Sequence, residues 1–316
     1  MISNMARNSV CRRAAYWGYL LPAFLAAWAG CSHHQADGVV VYTAQDQVYA
    51  EPIFREFTRQ TGIPVRAVFD SEAVKTVGLA NRLLAEKDHP QCDVFWGNEE
   101  LRARQLAMRG VFQETPGLAT FGYRTRRLVV NTNLVSAANQ PTSLLELTNA
   151  AWRGKVALAY PLFGTTATHF LALRRLWGTE GWEAWCRALQ ASQPKLVDGN
   201  SLVVQLVGRG EAAIGLTDSD DIEAGKREGL PIAAMPWNSE TLFIPNAVGI
   251  ISGAPHPAPA GQLYRFLQQP ETVARLVSTQ ALEGSQPQHA ALRVEWPQLL
   301  QNLEPATDQM RAIFLR

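Results

Sequence analysis

The chain is poor in cysteine, in runs of like charge and in recognisable catalytic motifs. Four cysteines in 316 residues exclude a disulfide-rich scaffold. Lys and Arg number 29 against 28 Asp and Glu, and no run of basic residues exceeds two. A net charge of +1 without a basic patch argues against nucleic-acid binding. With 47% hydrophobic residues, the chain can instead build one large or two medium-sized cores.

Enzyme signatures are also missing. The sequence has no nucleophile elbow, no Walker loop, no His-Glu-x-x-His zinc motif and no Cys-x-x-Cys pair. Its most acidic segment supplies carboxylates from one short stretch, whereas a glycosidase needs two opposed acids. We therefore expect a binding protein without a catalytic cofactor, and keep a metal-dependent hydrolase only as a remote alternative.

The N-terminus has the pattern of an export signal over residues 1–30. Arg7, Arg12 and Arg13 precede an apolar run over 14–29, and small residues lead to Cys31. This ending resembles a bacterial lipoprotein cleavage box, in which Cys31 carries the lipid and residues 31–37 form a tether. A cleaved secretory peptide or a signal anchor are the alternatives. All three place the folded part outside the cytoplasm, in the periplasm or at the outer face of the cell membrane.

Two cysteines remain in the folded part once Cys11 and Cys31 are assigned to the leader and the anchor. Cys92 precedes a predicted strand and Cys186 lies in a Trp-rich helical segment. We predict two buried thiols, with a disulfide between them as the alternative.

Apolar runs alternate with amphipathic stretches along the chain. Strands are predicted over 38–43, 63–69, 92–96, 126–131, 156–159, 212–216 and 242–251, with helices over 49–60, 73–87, 164–191, 261–268 and 270–279. The segment 253–259, with three prolines, reads as a loop. This order predicts an α/β protein with mixed, mainly parallel sheets flanked by helices.

Three carboxylates, Asp218, Asp220 and Asp221, directly follow the apolar run 212–216. Ligands of open α/β sheets gather at the carboxyl ends of strands, so the segment predicts a ligand site. Asp220 with Glu223 also has the spacing of a helix-capping box, and capping and ligand binding are compatible. Near the first strand, Asp46 is flanked by Gln45, which either ligates or belongs to a solvated turn.

Several phrases in order resemble the type II periplasmic solute-binding proteins of ABC importers, particularly the ferric-ion-binding branch. They are Val40–Asp46, Phe57–Ile63, Cys92–Trp96, Ala159–Pro161, Gly208–Ala213 and Gly253–Pro257. The resemblance covers essentially all residues after 38. It implies two lobes, 38–131 with 246–316 and 132–245, that close on a small ligand. It also implies delivery to a permease of the inner membrane, by a protein that acts as a monomer.

The resemblance implies particular site residues as well. Ferric binders hold the metal with paired tyrosines, a histidine and a glutamate, and this chain departs from that pattern at every place. Asp220 and Asp221 stand at the tyrosines, Asp46 at the histidine, and Asn98 and Glu99 compete for the glutamate place. An anion or an acidic ligand group would bind at the remaining positions, which are Gly164, Thr165, Thr166, Asn200 and Asp218.

The residue types leave the ligand open. Carboxylates and amides suit a hard metal ion, with iron and a synergistic anion as one case, and Asp46, Asp220 and Asp221 would be its ligands. A small organic cation or zwitterion is the alternative, held beside an aromatic wall of Trp96, Tyr42, Tyr160 and Phe163.

Overall fold

The computed structural model describes residues 38–69, 75–286, 292 and 294–315. The predicted signal peptide, Cys31 and the predicted tether lie outside these residues. Among the described residues, no helix is long and apolar enough to cross a membrane.

The first part of the chain forms parallel β-α-β units, as predicted. Strand β1 lies between β2 and β3 and pairs with both in parallel. Each strand end leads into a helix whose apolar face covers the sheet; on α1, Ile53, Phe54 and Phe57 are buried. The elements are β1 (Val39–Thr43), α1 (Gln47–Thr61), β2 (Val65–Phe69), α2 (Lys75–Ala85), β3 (Val94–Gly97) and α3 (Glu100–Met108).

Two long strands connect the two parallel regions of the sheet. β4 (Ala119–Asn131) and β9 (Leu242–Ile250) pair with each other in antiparallel fashion. β9 also pairs with β3, and β4 pairs with β7 (Ile214–Asp218). β4 begins seven residues earlier than the predicted strand over 126–131.

The second parallel region is centred on β5 (Val156–Ala159), which pairs with β6 and β7. The sheet order is β2-β1-β3-β9-β4-β7-β5-β6, with β8 paired to β4. The predicted fold class, mixed sheets with parallel regions flanked by helices, is confirmed. The remaining elements here are α4 (Gly164–Ala191), β6 (Lys195–Val197), α5 (Asn200–Gly208), α6 (Ser219–Arg227) and β8 (Ile232–Ala234).

Four helices end the described chain: α7 (Pro257–Leu267), α8 (Pro270–Ser278), α9 (Trp296–Gln301) and α10 (Leu303–Phe314). The predicted loop over 253–259 is wrong at its end, because α7 begins at Pro257. Proline fits the first turn of a helix, where its missing N–H has no partner to lose. α10 packs against α4, although the sequence assigned its residues to the first lobe; Phe314 contacts Phe170 of α4 edge-on, with ring centroids 5.9 Å apart.

One face of the sheet carries two separate apolar cores. Along β9, Leu242 and Ile244 belong to the core under α4, whereas Val248 and Ile250 belong to the core under α1 and α7. Asn246 stands between the two sets on the same face, because side chains of a strand alternate.

The neighbouring strand repeats this order. On β4, Phe121 packs in the core under α1, and Leu128 packs in the core under α4. Arg124 and Arg126 lie between them, after a register shift near Gly122, whose φ is +57°. A polar boundary, defined by Asn246, Arg124 and Arg126, therefore separates the two cores where the long strands cross.

Candidate functional site

Arg126 is at the centre of the site and is completely buried. Its Nη1 donates to Asp218 Oδ1 at 2.6 Å, to Thr165 Oγ1 at 2.8 Å and to Asn200 Oδ1 at 3.0 Å. Its Nη2 donates to the Leu216 carbonyl oxygen at 3.2 Å. These contacts join β4 to β7 and to the first turns of α4 and α5.

Arg124 extends this network toward the first half of the chain. Its Nη2 donates to Asp218 Oδ2 at 3.0 Å, and its Nε lies 3.3 Å from Asp220 Oδ1. The charge of Asp46, at the start of α1, also favours the charged guanidinium. Its Nη1 is buried and has no hydrogen-bond partner among the described residues.

Electrostatics favour the charged forms of Asp218 and Arg124, whereas burial lowers the pKa of Arg126. Burial by itself would raise the pKa of Asp218, but the positive charges of Arg126 and Arg124 outweigh burial and hold its pKa below the usual range. Burial would lower the pKa of Arg124, yet Asp220 and Asp218 raise it. Asp218 is thus a structural counter-ion for two arginines, as well as a candidate ligand.

The acidic cluster predicted from the sequence does form. One carboxylate oxygen from each of Asp218, Asp220 and Asp221 lies within 4.8 Å of the other two. Asp46, the third predicted metal ligand, is not a member of this group. Because Arg124 and Arg126 contact two of the three carboxylates, a cation entering the cluster would compete with existing ion pairs.

The residues predicted to hold an anion are brought together around Arg126. Thr165 Oγ1 lies 2.9 Å from Asp218 Oδ2, and Asn200 Nδ2 donates to Thr165 Oγ1 at 3.1 Å. Gly164 and Thr166 complete the first turn of α4, and Thr166 is buried. Helix N-termini favour negative groups, and here Asp218 is the one in contact.

Glu99 and Asn98 follow β3, and both are buried. Glu99 caps α3, because its carboxylate accepts from the Leu101 N–H at 2.7 Å and the Arg102 N–H at 3.0 Å. Burial raises its pKa. Its remaining contact is with the Thr168 hydroxyl of α4, at 3.4 Å. Glu99 is therefore engaged in capping and in a contact between the two halves.

The predicted capping box at Asp220 is wrong. α6 begins at Ser219, so that its N-cap is Asp218, and the Asp218 side chain makes no capping hydrogen bond. Its oxygens are taken by the two arginines instead. Asp220 and Asp221 lie in the first turn, where they still interact favourably with the helix dipole.

The aromatic wall expected for an organic cation loses two members. Trp96 packs with Phe54 in the core under α1, with ring centroids 5.6 Å apart. Tyr42 is buried on the opposite face of the sheet, and its hydroxyl donates to Glu86 at 2.9 Å. Phe163, by contrast, is 40% exposed.

The prediction of two buried thiols is confirmed. Cys92 and Cys186 are free and buried. His169 is packed in α4, and its Nε2 lies 2.7 Å from the Glu240 carbonyl oxygen. Burial, with the nearby charge of Arg126, lowers the pKa of His169 to about 3, so that the imidazole is neutral.

Sequence reasoning missed Arg124 and Arg126, and it did not include Asn246 among the site residues. The available signal was their position within otherwise apolar strands, because arginine and asparagine are rarely buried without a specific partner or task. Gln45 is likewise buried, so it is not part of a solvated turn.

Polar contacts at the rim connect α6 with α1 and with the residues that follow α8. Arg227 Nη2 donates to the Tyr49 hydroxyl at 3.0 Å, and its Nη1 donates to Gln280 Oε1. Gln280 Nε2 donates to Glu223 at 3.2 Å. These exposed contacts close the edge of the polar boundary beside α1 and α8.

Comparison with known proteins gives a consistent result. The model of the bacterial extracellular solute-binding protein family matches residues 39–279. The major ferric iron-binding protein of Neisseria meningitidis serogroup B is 23% identical over 295 residues, 87% of this chain and 85% of that protein.

Solved structures share the fold at low sequence identity. Iron-bound HitA from Pseudomonas aeruginosa matches with a TM-score of 0.78 and 19% identity, over 88% of this chain and 99% of that one. AfuA from Actinobacillus pleuropneumoniae, with fructose 6-phosphate bound, matches with a TM-score of 0.71 and 16% identity, over 89% and 97%. The shared fold is that of type II periplasmic binding proteins.

Proposed function

Because the chain belongs to the bacterial extracellular solute-binding protein family, we propose that it is the binding component of an ABC importer. It captures a small solute between two lobes, 38–131 with 246–316 and 132–245, and delivers it to a membrane permease. The observation that carries the proposal is the polar boundary between two apolar cores, midway along the antiparallel pair of β4 and β9. Hinge motion at two crossing strands would open and close this boundary.

The boundary favours a small organic solute with an acceptor group. Arg124 Nη1 is a buried donor without a partner among the described residues, and a carboxylate or phosphate oxygen of a ligand would satisfy it. The fructose 6-phosphate bound to AfuA is a precedent for such a ligand in this fold. The carboxylates of Asp220, Asp221 and Asp46 would bind donor groups of the same solute.

A hard cation, with ferric iron as the leading case, is the second candidate. The proximity of three carboxylate oxygens in the acidic cluster supports it, as do the iron-bound relative and the ferric-binding relative. Tyr49 lies close enough to Asp220 for that charge to act on its hydroxyl. Burial and the charge of Asp220 raise the pKa of Tyr49, which disfavours a phenolate ligand before the metal binds. Iron would therefore have to be held mainly by carboxylates and a synergistic anion.

The remaining parts of the proposal concern the cell. The protein is exported by the segment 1–30, is held at the membrane by a lipid on Cys31, and acts as a monomer without catalysis. Cys31→Ser should move the protein from the membrane fraction to the soluble periplasmic fraction. Retention of the variant in membranes would contradict lipidation.

Ligand-linked stabilisation tests the site. Protein stripped by unfolding and refolding in chelator should gain about 2.7 kcal/mol of unfolding free energy when its solute is present at about a hundredfold excess over Kd. Asp220→Asn with Asp221→Asn should abolish the gain, and the exposed Glu183→Gln should leave it unchanged. A full gain in the double variant would reject the site. A gain with ferric citrate but not with iron-free citrate would favour the second candidate.

A further inference from the structure

Asn246 is a completely buried carboxamide in the middle of a long strand. Neither its Oδ1 nor its Nδ2 has a hydrogen-bond partner among the described residues. It stands at the polar boundary, between Ile244 of one core and Val248 of the other. A structural role would be served better there by an apolar side chain, which would join the two cores.

Gln45 repeats this situation at the carboxyl end of β1. It is 2% exposed, and its Oε1 and Nε2 also lack partners within the described part of the chain. Its own N–H donates to Thr43 Oγ1 at 3.0 Å, which fixes the turn that leads to Asp46. The strand register places Thr43, Trp96 and Val248 in one row across β1, β3 and β9, so that Gln45, two residues after Thr43, lies toward the row of Asn246.

The unfilled hydrogen-bonding capacity at the boundary is large and specific. Two carboxamides offer two donor groups and two acceptor groups, and Arg124 Nη1 adds a cationic donor. A buried polar group left without a partner destabilises the fold, so several together require an explanation. A ligand that binds between the two halves would supply the missing partners, and the two-part fold offers a place for it.

The set of groups selects the chemistry of that ligand. A carboxamide needs partners that both donate and accept, and a hydroxyl group does both. A metal ion would satisfy only the amide oxygens, and an ammonium group only donates. Arg124 Nη1 requires an acceptor, and its strongest partner is an anionic oxygen.

We infer that the transported solute is a small organic anion that carries several hydroxyl groups. Gln45 and Asn246 bind its hydroxyls, and Arg124 binds its carboxylate or phosphate. The inference rests on the proposed function, because these atoms are sealed in the described conformation and become accessible when the two halves separate. Buried water at the carboxamides is the competing explanation.

A calorimetric panel tests the inference on the mature, ligand-stripped protein. Gluconate, glycerol 3-phosphate and fructose 6-phosphate are the hydroxylated anions. Hexanoate and inorganic phosphate lack the hydroxyls, and sorbitol lacks the charge. Ferric citrate compared with iron-free citrate tests the metal, because citrate is itself a hydroxylated anion. At least one hydroxylated anion should bind at least a hundredfold more tightly than hexanoate, inorganic phosphate and sorbitol.

Variants assign that binding to the named groups. Asn246→Leu and Gln45→Met should each weaken binding of the hydroxylated anion at least tenfold. The stability of the ligand-free protein should stay equal or rise. Gln309→Met is the matched control, because it removes a partly buried carboxamide on α10 whose Oε1 also lacks a partner. The control should bind like the unmodified protein.

Three outcomes would overturn the inference. They are failure of every hydroxylated anion to bind, unchanged affinity in both Asn246→Leu and Gln45→Met, and a bound structure with only water at the two carboxamides. Tight binding of ferric citrate alone would overturn it and leave the proposed import function standing. The proposed function of solute capture would be contradicted if neither the panel nor a periplasmic extract stabilised the protein.

Discussion

The two sides of the polar boundary differ in how their polar groups are satisfied. On the side of β7 and α4, Asp218, Thr165 and Asn200 are joined through Arg126 in one hydrogen-bonded network, in which Arg126 Nε lacks a partner among the described residues. On the side of β1 and at the crossing strand, Gln45 and Asn246 have no partners in the described part of the chain. The first side is built before ligand arrives, and the second is completed by it. Substitutions on the first side should therefore lower stability, and substitutions on the second side should lower affinity for the ligand.

Removing Asp218, the counter-ion of the Arg126 network, should have the largest effect on stability. Asp218→Leu leaves Arg124 and Arg126 buried without their main partner, so we expect a loss of about 3–5 kcal/mol in the free energy of unfolding. Urea unfolding measures it. Glu183→Leu breaks an exposed pair with Arg187 and should cost about 0–1 kcal/mol. If Asp218→Leu lost no more stability than Glu183→Leu, the network would not be structural.

Acid should weaken the same side through His169. The unfolded histidine takes up a proton below about pH 6.5, whereas the folded one stays neutral until about pH 3. The unfolded state thus binds more protons in that window, and stability falls with decreasing pH by up to about 1.4 kcal/mol per unit. Asp218, whose pKa is lowered, adds its own loss only below its ordinary range.

His169→Gln keeps a donor for the Glu240 carbonyl and removes the titration. Its unfolding free energy should depend less steeply on pH between about 6.5 and 3 than that of the unmodified protein. Chemical denaturation at several pH values tests this. Parallel pH profiles for the two proteins would mean that His169 is not held neutral.

A pair of substitutions sharpens the comparison directly. Thr165→Val removes a hydroxyl that contacts Asp218 and should destabilise the ligand-free protein by about 1–3 kcal/mol. Asn246→Leu removes an unsatisfied carboxamide and should not destabilise it, because no protein partner is lost. Equal destabilisation by both, measured by urea unfolding, would erase the difference between the two sides.

The rim contacts should have the smallest effect. Tyr49→Phe removes the hydroxyl that accepts from Arg227 and should shift the closed state by about 0.5–1.5 kcal/mol toward the open one. A larger radius of gyration in X-ray scattering without ligand would report the shift. Arg55→Ala, an exposed change elsewhere on α1, is the control. A scattering curve of Tyr49→Phe identical to that of the unmodified protein would show that the Tyr49–Arg227 contact does not stabilise the closed state.

The sequence predicted the parallel regions well, because their strands are short, apolar and separated by amphipathic helices. β5 was predicted over 156–159, as it is found. β4 was predicted only from residue 126, since Tyr123, Arg124 and Thr125 interrupt the apolar pattern. A strand that crosses between two cores carries polar residues at its middle, and local periodicity does not report this.

The site was predicted in part for the same reason. Asp218, Thr165 and Asn200 follow strand ends, and strand ends can be read from sequence. Arg126 was missed because its role depends on four partners that lie 39 to 92 residues away. Gln45 was named from its place beside Asp46, whereas Asn246 gives still less signal than Arg126, because its proposed partner belongs to the ligand.

Native mass spectrometry of protein isolated from periplasmic extract, with elemental analysis of the same sample, tests solute capture at the boundary most directly. We predict one hydroxylated organic anion per chain, metal well below one equivalent, and loss of the anion in Asn246→Leu but not in Gln309→Met. One equivalent of iron with no organic anion, retained in Asn246→Leu, would contradict the assignment.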